Sequence, residues 1–76
     1  MDPRLGDLIR IAREYMTINS NNEDMGRLTK DAIVVYLGQT KLDSNNLMMV
    51  CQIVVAPNVG CIKIPGTNPG DLGTVI

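Results

Sequence analysis

Leu47-Met48-Met49-Val50-Cys51-Gln52-Ile53-Val54-Val55 decides how this chain of 76 residues folds. The run holds no glycine, proline or charge, and its second half is rich in β-branched residues, so it reads as a long strand. A half-buried antiparallel strand alternates apolar and polar side chains. This one does not. Leu47, Met49, Cys51, Ile53 and Val55 share one face, while Met48, Val50 and Val54 share the other, where Gln52 is the sole polar residue.

Upstream, Ala32-Ile33-Val34-Val35-Tyr36-Leu37 has the same character and ends at Gly38. It predicts a strand with Ile33, Val35 and Leu37 on one face and Val34 and Tyr36 on the other. A helix capped by Thr29 and stopped by Gly38 competes for the same residues. Lys41 to Asn46 is rich in turn formers and reads as a link. Downstream, Ala56-Pro57-Asn58-Val59-Gly60 is a tight connection with Pro57 pre-set for a turn. Cys61 to Ile64 makes a third strand, stopped by Pro65-Gly66. The Gly/Pro-rich tail, 65–76, is mostly punctuation, with Thr74-Val75-Ile76 available for a short fourth pairing at an edge.

The N-terminal residues carry a different period. Asp2 can cap, Pro3 suits a first helical position, and Asp7 favours the positive end of a helix dipole. Leu5, Leu8, Ile9, Ala12, Tyr15 and Met16 then fall at helical spacing. Residues 1–18 therefore read as an amphipathic helix, 19–31 as a polar connection and 32–64 as sheet. The expected architecture is a single α+β domain: one N-terminal helix packed on a small antiparallel sheet of three or four strands.

One helix can cover one face of such a sheet. Leaving Val34, Tyr36, Met48, Val50 and Val54 wet on the other would forgo about 8–15 kcal/mol as an upper bound, comparable to the stability of a whole domain. The expected cover is a second copy of the chain, which makes those five residues a homo-oligomer interface. The alternative is that the tail, through Leu72, Val75 and Ile76, folds back over the same face.

Chemistry is sparse. There is no histidine, so the usual general base near neutral pH and the commonest metal ligand are both missing. Cys51 and Cys61 sit in apolar runs and read as buried free thiols, not as a disulfide or an activated nucleophile. Residues 19–30 mimic a calcium loop but place Asp24 where glycine is required and Lys30 where the closing carboxylate belongs. No catalytic residue, metal or cofactor is expected. A net charge of −1 and only Tyr15 and Tyr36 as aromatics argue against nucleic acid. No apolar run is long enough to span a bilayer and no leader follows Met1, so a cytoplasmic protein is expected.

Two binding features remain. Arg10, Arg13 and Arg27 could present paired donors to an anion, and the turns at Gly66 and Gly70 could offer backbone amides beside them. Ordinary ion pairing along a helix face is the competing account of the arginines. The Thr74-Val75-Ile76 terminus is similar to the peptides that PDZ domains capture, a permissive pattern that arises often by chance. The function expected is a small non-enzymatic homo-oligomeric module for protein interaction, assembly or inhibition. The alternative is a binder of a small anionic or nucleotide-like ligand at clefts between subunits.

Overall fold

The computed structural model describes residues 2–44 and 47–76. Seven strands succeed one another: β1 (Leu8–Ile11), β2 (Tyr15–Ile18), β3 (Asp24–Leu28), β4 (Ile33–Ser44), β5 (Leu47–Ala56), β6 (Gly60–Pro65) and β7 (Gly73–Val75). They form one sheet in the order β3-β2-β6-β5-β4-β1-β7, antiparallel throughout and curled into a half-barrel. A single 3₁₀ turn at Pro69–Asp71 is the only helical element among the described residues. No helix there is long and apolar enough to cross a membrane. The chain is all-β, and the expected α+β architecture is corrected.

The expected N-terminal helix is two strands. Gly6 adopts φ +92°, a left-handed value that ends any helix, and its N–H donates to the Tyr36 carbonyl at 2.7 Å. Asp7 accepts the Arg4 N–H at 2.8 Å, so it closes a turn instead of meeting a helix dipole. Beyond this turn the side chains alternate. Ile9 and Ile11 are buried while Leu8 and Arg10 are exposed; Tyr15 and Thr17 are buried while Met16 is exposed. Leu5, Leu8, Ala12 and Met16, assigned to the helical stripe, all face water. Over runs of four residues both periods fit the same apolar positions. The β-branched residues and the pairing offered by β4 and β7 settle the matter for strand.

The 19–31 connection is also partly strand. Asn19 Oδ1 accepts the N–H groups of Asn21 and Glu23, forming a tight turn from which β3 returns along β2. The β4 strand excludes the helical alternative for residues 29–38 and runs past Gly38 to Ser44. Lys41–Ser44 of the expected link is thus strand, and the Asn45-Asn46 part of that link lies outside the described residues. Gly38, at φ +108°, marks a bulge: Tyr36 pairs with Val54 and Gly38 with Ile53, leaving Leu37 unmatched. Such a bulge bends the strand and increases local twist, which curls the sheet.

The curl creates the interior. Ile9, Ile11, Val34, Tyr36, Val54 and Ile64 meet on the inner face, with Leu28 and Ile62 beside them. Residues 66–72 cross the open mouth, carrying Thr67 and Leu72 into it, both buried. The Tyr15 hydroxyl donates to the Asp71 carbonyl, and the Ala12 N–H to the Leu72 carbonyl at 2.9 Å. The 65–76 tail is therefore a strap followed by an edge strand, where β7 pairs with β1. One chain roofs its own inner face.

Candidate functional site

The strand register places every residue of the expected oligomer interface, and it splits that set. Val34, Tyr36 and Val54 are at most 5% exposed inside the chain's own core. Met48 and Val50 lie on the same face of β5 but farther along the hairpin, where the core has ended. There Leu47 and Met48 are 69% and 65% exposed, and Met49 and Val50 are exposed as well. Along β5, β6 pairs only with Cys51 to Ala56, so Leu47–Val50 has β4 as its sole strand neighbour among the described residues. On the other side, β1 covers β4 only from Ile33 to Val35, with the turn at Gly6 and Asp7 reaching Tyr36. The far half of the β4–β5 hairpin is thus a two-stranded ribbon projecting from the sheet. Leu47 and Met49 were assigned to the face that a helix would cover, and no sequence signal separated the near half of β5 from the far half.

Gln52, the polar exception on the core face, is fully buried and fully partnered. It accepts from the Tyr36 hydroxyl at 2.8 Å and donates to the Thr67 carbonyl at 2.7 Å and to Gln39 Oε1 at 3.3 Å. The network joins β5, β4 and the strap, which makes it structural. Burial, and to a smaller degree Asp2, pushes the Tyr36 phenol above its ordinary value.

The residues expected to hold an anion have separate engagements. Arg27, on β3, forms an ion pair with Glu14 at 2.7 Å, and that carboxylate holds its guanidinium charged beyond its ordinary range. Arg13 lies over the Tyr15 ring, 5.1 Å from its centroid. Arg10 is exposed on β1. Gly66 adopts φ +72° beside the Met49 thioether and gives its N–H to the Val50 carbonyl at 2.8 Å. Gly70 packs against the Asp2 carboxylate, so an acidic group already occupies that turn.

A groove of about 330 Å³ crosses the outer face, lined by Ser20, Thr40, Ile53, Cys61, Ile62 and Lys63. The Lys63 ammonium donates to Asn22 Oδ1 at 2.9 Å, and Ser20, Thr40 and Ile53 line the same groove. The arginine-based reading passed over this position because a single lysine in a strand carries no motif. Both cysteines are free; Cys51 is buried and Cys61 is exposed, the latter correcting its expected burial. Burial raises the Cys51 thiol above its ordinary value, outweighing the opposing field of Lys63. No group of three potential metal-ligating side chains exists among the described residues. No family model, curated protein or solved structure matches the chain.

Proposed function

We propose that the chain is a small non-enzymatic interaction module that self-associates through the projecting β4–β5 ribbon, and that acts by binding protein. The observation that carries this reading is the exposure of four consecutive apolar side chains, Leu47 to Val50, on a ribbon that no strand but β4 flanks among the described residues. Contiguous apolar surface of that kind marks contact sites. The inner face no longer requires a partner, so the interface belongs to the ribbon and the expected contribution of Val34, Tyr36 and Val54 lapses. A thiol held protonated by burial is the reverse of an activated nucleophile, which favours a non-catalytic role. The two free cysteines suit a reducing compartment such as the cytoplasm.

Sedimentation velocity from micromolar to millimolar concentration tests the proposal. A mass rising with concentration is expected, and Val50→Lys should shift the rise to higher concentration without unfolding the chain. A monomer across the whole range would refute it.

A second reading is favoured by Lys63: an amphiphilic small anion with its carboxylate or phosphate on the ammonium and its apolar body on Ile53. Thermal stabilisation by a panel of fatty and aromatic carboxylates, lost in Lys63→Ala and kept in Arg10→Ala, Arg13→Ala and Arg27→Ala, would support it. No shift with any of them would set it aside.

A further inference from the structure

Resting on the protein-binding half of that reading, we infer that the outer face of the sheet seats an acidic amphipathic helix of a partner protein, its apolar side on the strands and its carboxylates on Lys63 and Arg10. The pairing registers carry one apolar row across four strands: Leu8, Val35, Val55 and Cys61 stand opposite one another in turn. Opposed residues point to the same side of a sheet. Val54, beside Val55, is buried in the core, so this row faces outward. In the next outward row, Ile53 and Ile18 stand on either side of Lys63. Leu8 is 46% and Val55 37% exposed, and Cys61 is exposed as well.

These rows stay wet because the chain spends its covering elements elsewhere. The strap closes the inner mouth, and the N-terminal residues expected to form a covering helix are β1 and β2. An apolar sheet face is ordinarily covered by helix or by a second sheet. The only helical element among the described residues is the 3₁₀ turn at Pro69–Asp71, so a helix laid here belongs to another protein.

Charge selects the occupant. Arg10 is exposed on the same face, two residues along β1 from Leu8, and Lys63 lies three strands away. Neither has an acidic partner among the described residues, where the one ion pair is Arg27 with Glu14. The Lys63 ammonium donates only to the neutral Asn22 side chain. Along its row Asp24 lies beyond Ile18, and its Oδ1 accepts the Gly26 N–H. Measured along the sheet, strand and residue spacings put the two cations about 20 Å apart, the length of about 13 helical residues. Apolar rows bracketed by unmatched cations complement a helix whose apolar stripe is flanked by carboxylates. The groove of about 330 Å³ at Lys63 and Cys61 admits a projecting side chain, which the plane of a bilayer does not supply.

The probe is a helical peptide of leucine, alanine and glutamate, about 18 residues or five turns long, with its leucines on one face; a counterpart carries lysine for glutamate. The acidic peptide should slow thiol labelling of Cys61 saturably, and the basic one should not. Lys63→Glu should weaken the acidic peptide at least about tenfold and strengthen the basic one. Equal effects of the two peptides, no effect of either, or an unchanged preference in folded Lys63→Glu overturns the proposal. So does protection of Cys61 by dodecanoate or by phosphatidylglycerol vesicles in place of the acidic peptide. Should the variant fail to fold, the preference shown by Cys61 of the native chain decides alone. A chain that self-associates but ignores the acidic peptide loses this proposal only; a strict monomer that binds it refutes self-association and keeps the helix.

Discussion

The side-chain amide of Gln52 donates to the backbone carbonyl of Thr67 at 2.7 Å, tying the middle of β5 to the strap across the mouth of the half-barrel. Replacing Gln52 by Leu keeps the volume but strands the Tyr36 hydroxyl and the Thr67 carbonyl in an apolar interior. A loss of about 2–4 kcal/mol in denaturant unfolding is expected, since each buried group left unpaired costs about 1–3 kcal/mol. A change below 1 kcal/mol, on the scale of one net hydrogen bond, would show that water replaces the missing partner.

Gly73 is a steric requirement of the β1–β7 pairing. A Cβ placed there would lie 1.9 Å from the Arg10 carbonyl oxygen and 2.9 Å from the Ala12 nitrogen. Both are backbone atoms, which cannot swing aside. Gly73→Ala should cost about 3 kcal/mol, the upper range for overpacking, and should speed exchange of the Ile76 amide, which donates to the Leu8 carbonyl at 2.9 Å. Ile76 protection equal to that of the native chain would contradict the assigned register.

Alkaline pH should weaken the fold in two steps. Burial raises the Cys51 thiol from 9.0 and the Tyr36 phenol from 10.0, so the folded chain holds both protons where the unfolded chain releases them. More protons bound in the native state means that stability falls as pH rises. The stabilisation is complete below each unfolded value and is lost as pH climbs toward the folded one. Cys51→Ala should remove the step that begins near pH 9 and Tyr36→Phe the step that begins near pH 10. Unfolding midpoints measured across this range in the two variants check the assignment.

Thiol labelling should be biphasic. Cys61 is exposed and should react with a thiol-specific disulfide reagent at once, whereas Cys51 should wait for the sheet to open. Two equal rates in the native chain would mean that β5 opens far more readily than its pairing on both sides implies.

Much of the central hairpin was readable from residue types. Leu47–Val55 carries no helix-compatible polar face, and the strand assigned there differs from β5 by one residue at its end. The N-terminal strands were not readable, because Ile9 and Tyr15 satisfy a helical stripe as well as an alternating one. Only the left-handed Gly6 and the partners supplied by β4 and β7 distinguish them. The β3 strand escaped for the opposite reason. Asp24, Met25, Gly26 and Arg27 are all exposed, so no burial pattern announced it. Counting apolar faces assumed a flat sheet needing two covers; the bulge at Gly38 bends that sheet until Val34, Tyr36 and Val54 enclose one another. The ribbon's exposure depends on where β6 stops, at Pro65, and a neighbour's end is invisible in the sequence of β5 itself.

The bond from Tyr15 to Asp71 joins residues 56 positions apart, and this separation has a kinetic meaning. Contacts so remote along the chain are slow to find, because long loops lose entropy on closure before any interaction rewards it. The β4–β5 hairpin, whose partners are near neighbours, can assemble early; the strap can lock only after β2 is in place. Until it does, the greasy interior stands open, and crowding of partly finished chains is the hazard the last turn of the molecule removes.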